Sequence, residues 1–195
     1  MTAWLVIPAA AVVGFAVGST SPATWLARRR GVELATSGSG NPGATNVGRV
    51  LGRRFGVIVG LVDVLKGLLP TLAFLPFGET PALVAGTAAV LGHCYSPWLK
   101  GHGGKGVATS LGAILGVAPL FALLVVLVFA VVVVMTRWVA LASVSAALFI
   151  IVAASFAAVS NEDSVSVGQI VSAFVIGVVV IARHRSNLTA KLRGH

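Results

Sequence analysis

Residues 106–136 carry no charged side chain. A single α-helix of that length would run about 46 Å at 1.5 Å per residue. The hydrocarbon core of a bilayer is only about 30 Å thick, and Pro119, inside the run, disfavours a continuous helix. The stretch therefore reads as two helices, about 105–117 and about 119–135. Hydrophobic residues make up 57% of the 195-residue chain and charged residues 10%, against roughly 25% charged in ordinary globular domains. So few polar groups cannot cover a water-facing surface, and the solvent that fits is a bilayer.

Five further stretches approach the roughly 20 apolar residues of a spanning helix. They are 3–26, 55–77 (interrupted only by Asp63 and Lys66), 82–99 after a Gly78–Pro81 turn, 139–159 and 166–182. Residues 1–27 hold no charged side chain, and Arg28, Arg29 and Arg30 follow the apolar run instead of preceding it. That order predicts a membrane helix whose C-terminal end is held inside, and not a cleaved signal peptide. The expectation is an all-α polytopic membrane protein forming one domain over residues 1–195. It has seven transmembrane helices, the N-terminus outside and the C-terminus cytoplasmic.

Charge placement supports the odd count. With seven spans, every one of the 14 Lys and Arg residues except Lys66 falls on the inner side, as cation bias requires. Glu79, Glu162 and Asp163 fall outside. Six spans would put the basic C-terminal tail on the wrong side. The net charge of +9 is then inner-leaflet anchoring, and no nucleic-acid partner is expected. The lone cysteine, Cys94, excludes an internal disulfide or thiolate cluster and reads as a small apolar filler.

Three polar segments share the inner face: Ser37–Arg49, Gly92–Thr109 and Arg183–His195. The first satisfies G-x-G-x-x-G at Gly38, Gly40 and Gly43, with Asp63 twenty residues beyond. A dinucleotide loop, however, must follow a strand within a βαβ unit; here the preceding residues are arginine-rich and juxtamembrane. The second is no Walker A loop either: Gly106 follows Lys105 where Ser or Thr is needed, and Leu99 stands at the first glycine position.

The chemistry of phosphate binding survives both exclusions. Gly38-Ser39-Gly40 and Gly103-Gly104-Lys105-Gly106 let backbone N–H groups approach an anion, and Arg49 and Lys105 add full charges. Ser39, Gly40, Gly104, Arg49 and Lys105 thus read as two walls of a phosphate site; tight turns with anchoring cations are the plainer alternative. His184 and Asn187, three apart, can share a helix face or belong to an amphipathic tail. Asn187-Leu188-Thr189 is a glycosylation sequon on the wrong side of the membrane for use. His93 is either structural or part of the site. Asp63 and Lys66, one turn apart in a span, form an ion pair or orient a substrate or loop. With only five acidic residues in the chain, no carboxylate metal site, H-x-x-x-x-D motif or Ser/His/Asp grouping is evident. No metal and no cofactor are expected.

At these residues the chain resembles the bacterial membrane acyl-phosphate:glycerol-3-phosphate acyltransferase family. The resemblance rests on "SGSGNPGATNVGRVLGRRFG" continuing to "DVLKG", on "GHCYSPWLKGHGGKGVATSLG", on "RHRSNLTAKLRG", and on "TRWVALAS" (Thr136–Ser143). It departs from the family at Gly18-Ser19-Thr20-Ser21-Pro22, where Gly-Ser-Ile-Pro is usual, and at the tail, which ends Arg193-Gly194-His195 without the glutamate often found there.

The resemblance implies acyl transfer from acyl phosphate to the 1-hydroxyl of sn-glycerol 3-phosphate, the first step of phosphatidic acid synthesis. It implies a multi-pass protein of the bacterial cell membrane with its active site at the cytoplasmic face. The phosphate acyltransferase that makes acyl phosphate is an implied partner. On this reading Ser39, Gly40, Gly104, Arg49 and Lys105 hold phosphate and His184 and Asn187 orient the glycerol. Asn46, Lys66, Asp63, His93 and Ser143 act behind them. Lys105 and Arg49 stabilise charge, and either His184 or a substrate phosphate takes the hydroxyl proton. A small transporter of phosphorylated metabolites is the alternative. It predicts cations near mid-membrane and a repeated half, whereas only Lys66 lies deep and no repeat is visible.

Overall fold

The computed structural model describes residues 3–160 and 165–192, and among them there is no strand. Glu162, Asp163, Arg193 and His195, assigned above to turns and tail, lie outside the described residues. Nine α-helices follow in order: α1 (Ala3–Ser19), α2 (Pro22–Arg28), α3 (Ala44–Val50), α4 (Arg53–Phe74), α5 (Glu79–Cys94), α6 (Val107–Val117), α7 (Pro119–Thr136), α8 (Val139–Ser160) and α9 (Val167–Leu192). Five helical stretches are long and apolar enough to cross a membrane: Leu5–Arg28, Arg53–Phe77, Pro119–Thr136, Val139–Ser160 and Val167–Thr189. Helices α5 and α6 are shorter, with 16 and 11 residues.

The uncharged run divides at Ala118–Pro119, as its length requires. Glu79, Thr80 and Pro81, read as part of a turn, open α5, and three boundaries differ from the sequence reading by more than three residues. The stretch 3–26 is broken at Thr20-Ser21 because Pro22 opens a new helix, whose first turn is capped by the Ser21 hydroxyl accepting from the Thr24 N–H at 3.3 Å. Helix α5 stops at Cys94, not 99, because the residue before Pro97 is driven out of helical conformation. Helix α9 runs on to Leu192 instead of ending near 182. The change from apolar to polar composition there marks the edge of the apolar stretch, and no Gly or Pro is present to end the helix.

Small residues let the helices touch backbone to backbone, the usual packing device in a membrane. Gly14 and Gly18 of α1 sit against Ala85 and Ala89 of α5, and a Cβ on Gly67 or Gly112 at the α4–α6 crossing would run into the Thr109 or Val64 carbonyl. The surface turned away from these contacts is apolar: Leu120, Leu123, Leu127, Val134 and Met135 of α7 are all exposed, as lipid-facing residues must be.

The antiparallel succession of α4, α5, α6 and α9 gathers the 34–52 loop with α3, the 95–106 loop and the C-terminal turns of α9 at one end of the bundle. Toward the other end, an apolar cavity of about 660 Å³ lies between α5, the α6–α7 junction, α8 and α9.

Candidate active site

The first wall is a loop held by one buried amide. Asn46, on α3 and 1% exposed, accepts the Ser39 N–H at Oδ1 (2.8 Å) and donates from Nδ2 to the Ser37 carbonyl (3.0 Å). Both hydrogen-bonding functions of the side chain are used. They draw the loop tightly across α3, with Gly38 and Gly40 at positive φ (61° and 69°), where a side chain would be strained.

The second wall is the Gly103–Lys105 strip. The Gly104 N–H donates to the His93 carbonyl (3.0 Å). The carbonyls of Gly103 and Gly104 accept from Arg183 Nη2 (2.6 Å) and Nε (3.1 Å). Lys105 then reaches across to α9, where its Nζ donates to Asn187 Oδ1 at 2.5 Å. Gly106 turns the chain at φ 82° into α6, whose first N–H groups lack intrahelical partners. Partial burial, with the charges of Arg183 and Arg49, holds the Lys105 ammonium below the ordinary lysine pKa.

Between the walls is a cavity of about 640 Å³, lined by Ser39, Gly40, Lys105, Arg183, Arg185 and Asn187, together with Asn41, Pro42, Tyr95 and His102 among others. Among the described residues no carboxylate lines it. A basic, glycine-edged space free of acid side chains suits an anion carrying two charges. Among the described residues no cluster of His, Cys, Asp or Glu has the makings of a metal site.

Ser39, Gly40, Lys105 and Asn187 are therefore brought together. Arg49 is exposed on α3, near enough for its charge to act on Lys105. Gly104 lies behind the wall, where a Cβ would meet the His93 ring. His184 is 3% exposed and stands behind the lining. Its Nδ1 is 2.8 Å from the Val180 carbonyl, and since a carbonyl only accepts, Nδ1 carries the proton and Nε2 keeps a lone pair. Ser143 is on α8, outside the lining, its hydroxyl donating to the Val139 carbonyl one turn back (2.8 Å).

Asp63, Lys66 and His93 form a separate buried node. Lys66 Nζ lies 2.6 Å from the Thr20 carbonyl, 3.0 Å from His93 Nδ1 and 3.2 Å from Asp63 Oδ1. The ammonium thus spends its three protons on the α1–α2 break, on α5 and on its own helix, and His93 braces the glycine strip from behind.

Arg183, Arg185, Tyr95 and His102 line the cavity although sequence reasoning gave them no role. The two arginines flank His184 directly within the third polar segment, and that adjacency is the available signal.

A family model described as glycerol-3-phosphate acyltransferase matches residues 8–194. The chain belongs to this family. It is 43% identical over 178 residues to the glycerol-3-phosphate acyltransferase of Geobacter sulfurreducens, covering 90% of this chain and 89% of the relative. It is 40% identical over 190 residues to that of Aquifex aeolicus, covering 94% of each. Two crystal structures of PlsY (YgiH), an integral membrane glycerol 3-phosphate acyltransferase, superpose on the whole chain at 36% identity. The glycerol 3-phosphate form has a TM-score of 0.86 with 94% of that protein covered. The lysophosphatidic acid form has 0.83 with 93% covered. As a glycerol-3-phosphate acyltransferase this chain is an integral membrane enzyme, and the cavity-lining residues, Ser39 to Asn187, fall inside the family match.

Proposed function

We propose that this enzyme transfers an acyl group from acyl phosphate to the 1-hydroxyl of sn-glycerol 3-phosphate, releasing 1-acylglycerol 3-phosphate and phosphate. It works as a single membrane-embedded domain, residues 1–195, of the bacterial cell membrane. Seven helices span, the N-terminus lies outside, and the cavity opens at the cytoplasmic face, where both the acceptor and the acyl phosphate produced by a partner phosphate acyltransferase arrive. The observation that carries this reading is the acid-free cavity with Lys105, Arg183 and Arg185 in its lining. Both substrates present phosphate to it.

Acyl phosphate is already activated, so orientation and charge stabilisation are the main contributions left to the protein. Lys105, Arg49 and the Ser39 hydroxyl hold phosphate and stabilise the leaving group. The N–H groups of Ser39, Gly40 and Gly104 are bonded to Asn46 Oδ1, the Ser37 carbonyl and the His93 carbonyl and shape the walls instead. Asn187 orients the acceptor, with His184 behind it. The acceptor oxygen attacks the acyl carbon, the bond from that carbon to the phosphate oxygen breaks, and the hydroxyl proton is taken up by a base. A substrate phosphate is better situated for that proton than His184, which lies behind the cavity lining. The acyl tail runs outward along apolar helix surface.

The purified enzyme in detergent, given acyl phosphate and labelled glycerol 3-phosphate, is expected to form labelled lysolipid with one phosphate released per turnover, unchanged by a chelator. Absence of product, or inhibition by chelator reversed by a divalent metal, would refute the donor or the metal-free mechanism. An impermeant maleimide on intact cells of a Cys94→Ser background is expected to label Thr80→Cys and spare Arg53→Cys. The reverse pattern would invert the topology.

A further inference from the structure

Arg183 lines the cavity as a cation, yet the two best-placed donors of its guanidinium are already committed. Nη2 donates to the Gly103 carbonyl at 2.6 Å and Nε to the Gly104 carbonyl at 3.1 Å, and the group lies 5.5 Å over the Tyr95 ring. The Gly104 N–H is also fixed, on the His93 carbonyl. Three consecutive backbone groups of the strip are therefore immobilised from two sides, by α9 and by the end of α5. A trans peptide holds its C=O and N–H on opposite sides, so drawing the Gly104 carbonyl toward Arg183 turns the Lys105 N–H away from it. The strip also lies close against the end of α5. A Cβ at Gly103 would strike the His93 carbonyl, and one at Gly104 the His93 Nε2.

We propose that Arg183 is a positioning residue for acyl transfer: its fork on the Gly103 and Gly104 carbonyls fixes where Lys105 enters the cavity. The proposal rests on the reading of that cavity as the phosphate site. A lysine ammonium is one point charge with no planar fork, so it cannot reproduce the two parallel contacts. Arg183 also faces the Lys105 ammonium as a like charge. The other charged or titratable groups around Lys105 are Arg49 from α3, His184 and Arg185 from α9, and Tyr95 and His102 from the 95–106 loop. Arg183 thus sets the place of Lys105 and, after burial, adds to its readiness to lose a proton.

The test measures kcat/KM against pH for Arg183→Lys, Arg183→Gln and Lys105→Ala, with thermal melts to verify folding. Arg183→Lys keeps the charge and loses the fork. It is expected to lose about 10²-fold in kcat/KM, the cost of a misplacement of about 1 Å, with the alkaline limb unmoved. Arg183→Gln is expected to lose as much, and its alkaline limb moves up by about one unit, the scale of one neighbouring charge. A purely structural arginine would give the losses without that difference between the limbs. Wild-type kcat/KM in Arg183→Lys, or an unmoved limb in a folded Arg183→Gln, overturns the proposal. If Arg183→Gln does not fold, Arg183→Lys decides alone. Full activity in Lys105→Ala would instead remove the phosphate-site reading underneath.

Discussion

Lys105 Nζ donates to Asn187 Oδ1 at 2.5 Å, joining the glycine strip to α9 across 82 residues of chain. The bond consumes one of three ammonium donors and leaves the charge uncancelled, because an amide oxygen is neutral. Among the described residues the carboxylate that pairs with cations is Asp63, which is buried elsewhere. Lys105 is therefore both anchored and electrostatically available, the two properties that a preorganised anion contact needs.

Lys105→Ala and Arg49→Ala should each lower turnover by at least about 100-fold, the range for losing one charge-stabilising donor. Asn187→Ala should act mainly on the KM for glycerol 3-phosphate, since it frees the lysine without removing its charge. Steady-state kinetics on purified, folded variants settles this, and a wild-type rate in Lys105→Ala would exclude the assigned role.

Alkaline pH should move binding and stability in opposite directions. Burial first, then Arg183 and Arg49, lower the folded-state pKa of Lys105 from its usual 10.5. As pH rises through that lowered value the cation is lost, and affinity for phosphate falls with it. The unfolded chain still holds the proton there, so the cost of burying the charge is relieved and the substrate-free fold gains stability up to about pH 10.5. Melting temperature against pH, with and without inorganic phosphate, should show both slopes. Lys105→Met should abolish them, and parallel slopes in the wild type would contradict the assignment.

Much of the fold was legible because a bilayer leaves few choices. An uncharged run too long for the membrane with a proline inside it had to divide, and it does so at Pro119. Boundaries governed by local chemistry were less visible. The break before Pro22 also depends on Lys66, 46 residues away, accepting the task of satisfying the Thr20 carbonyl. The convergence of Ser39, Gly40, Lys105 and Asn187 could be anticipated from loops sharing one face. The clamps that set their geometry could not, since Asn46 on the Ser37–Ser39 loop and Arg183 on the glycine carbonyls are hydrogen bonds decided by packing. Ser143 entered through motif resemblance alone, and its hydroxyl is spent within its own helix.

Removing one member of the buried node should be costly. Lys66→Met strands the Asp63 carboxylate and the Thr20 carbonyl, and a broken buried pair typically costs about 3–5 kcal/mol. Lys66→Met combined with Asp63→Leu should cost less than the two single changes added together, because neither charge is then left alone. Denaturation in detergent measures the coupling. Strict additivity would mean that the 3.2 Å contact between them carries no energy.

Asn46→Asp separates the two halves of the Asn46 clamp. The carboxylate can still accept the Ser39 N–H but has no proton for the Ser37 carbonyl, and it introduces a negative charge beside a site built for phosphate. Losing a buried hydrogen bond in this way costs about 1–3 kcal/mol, so the KM for glycerol 3-phosphate should rise roughly 5- to 150-fold at neutral pH. Burial raises the pKa of a carboxyl group, and protonation would restore the missing donor and remove the charge together. Activity of Asn46→Asp relative to wild type should therefore recover as pH is lowered, while Asn46→Ala, which cannot regain a donor, stays impaired throughout. Equal and pH-independent loss in both variants would show that the Ser37 contact does not set the loop.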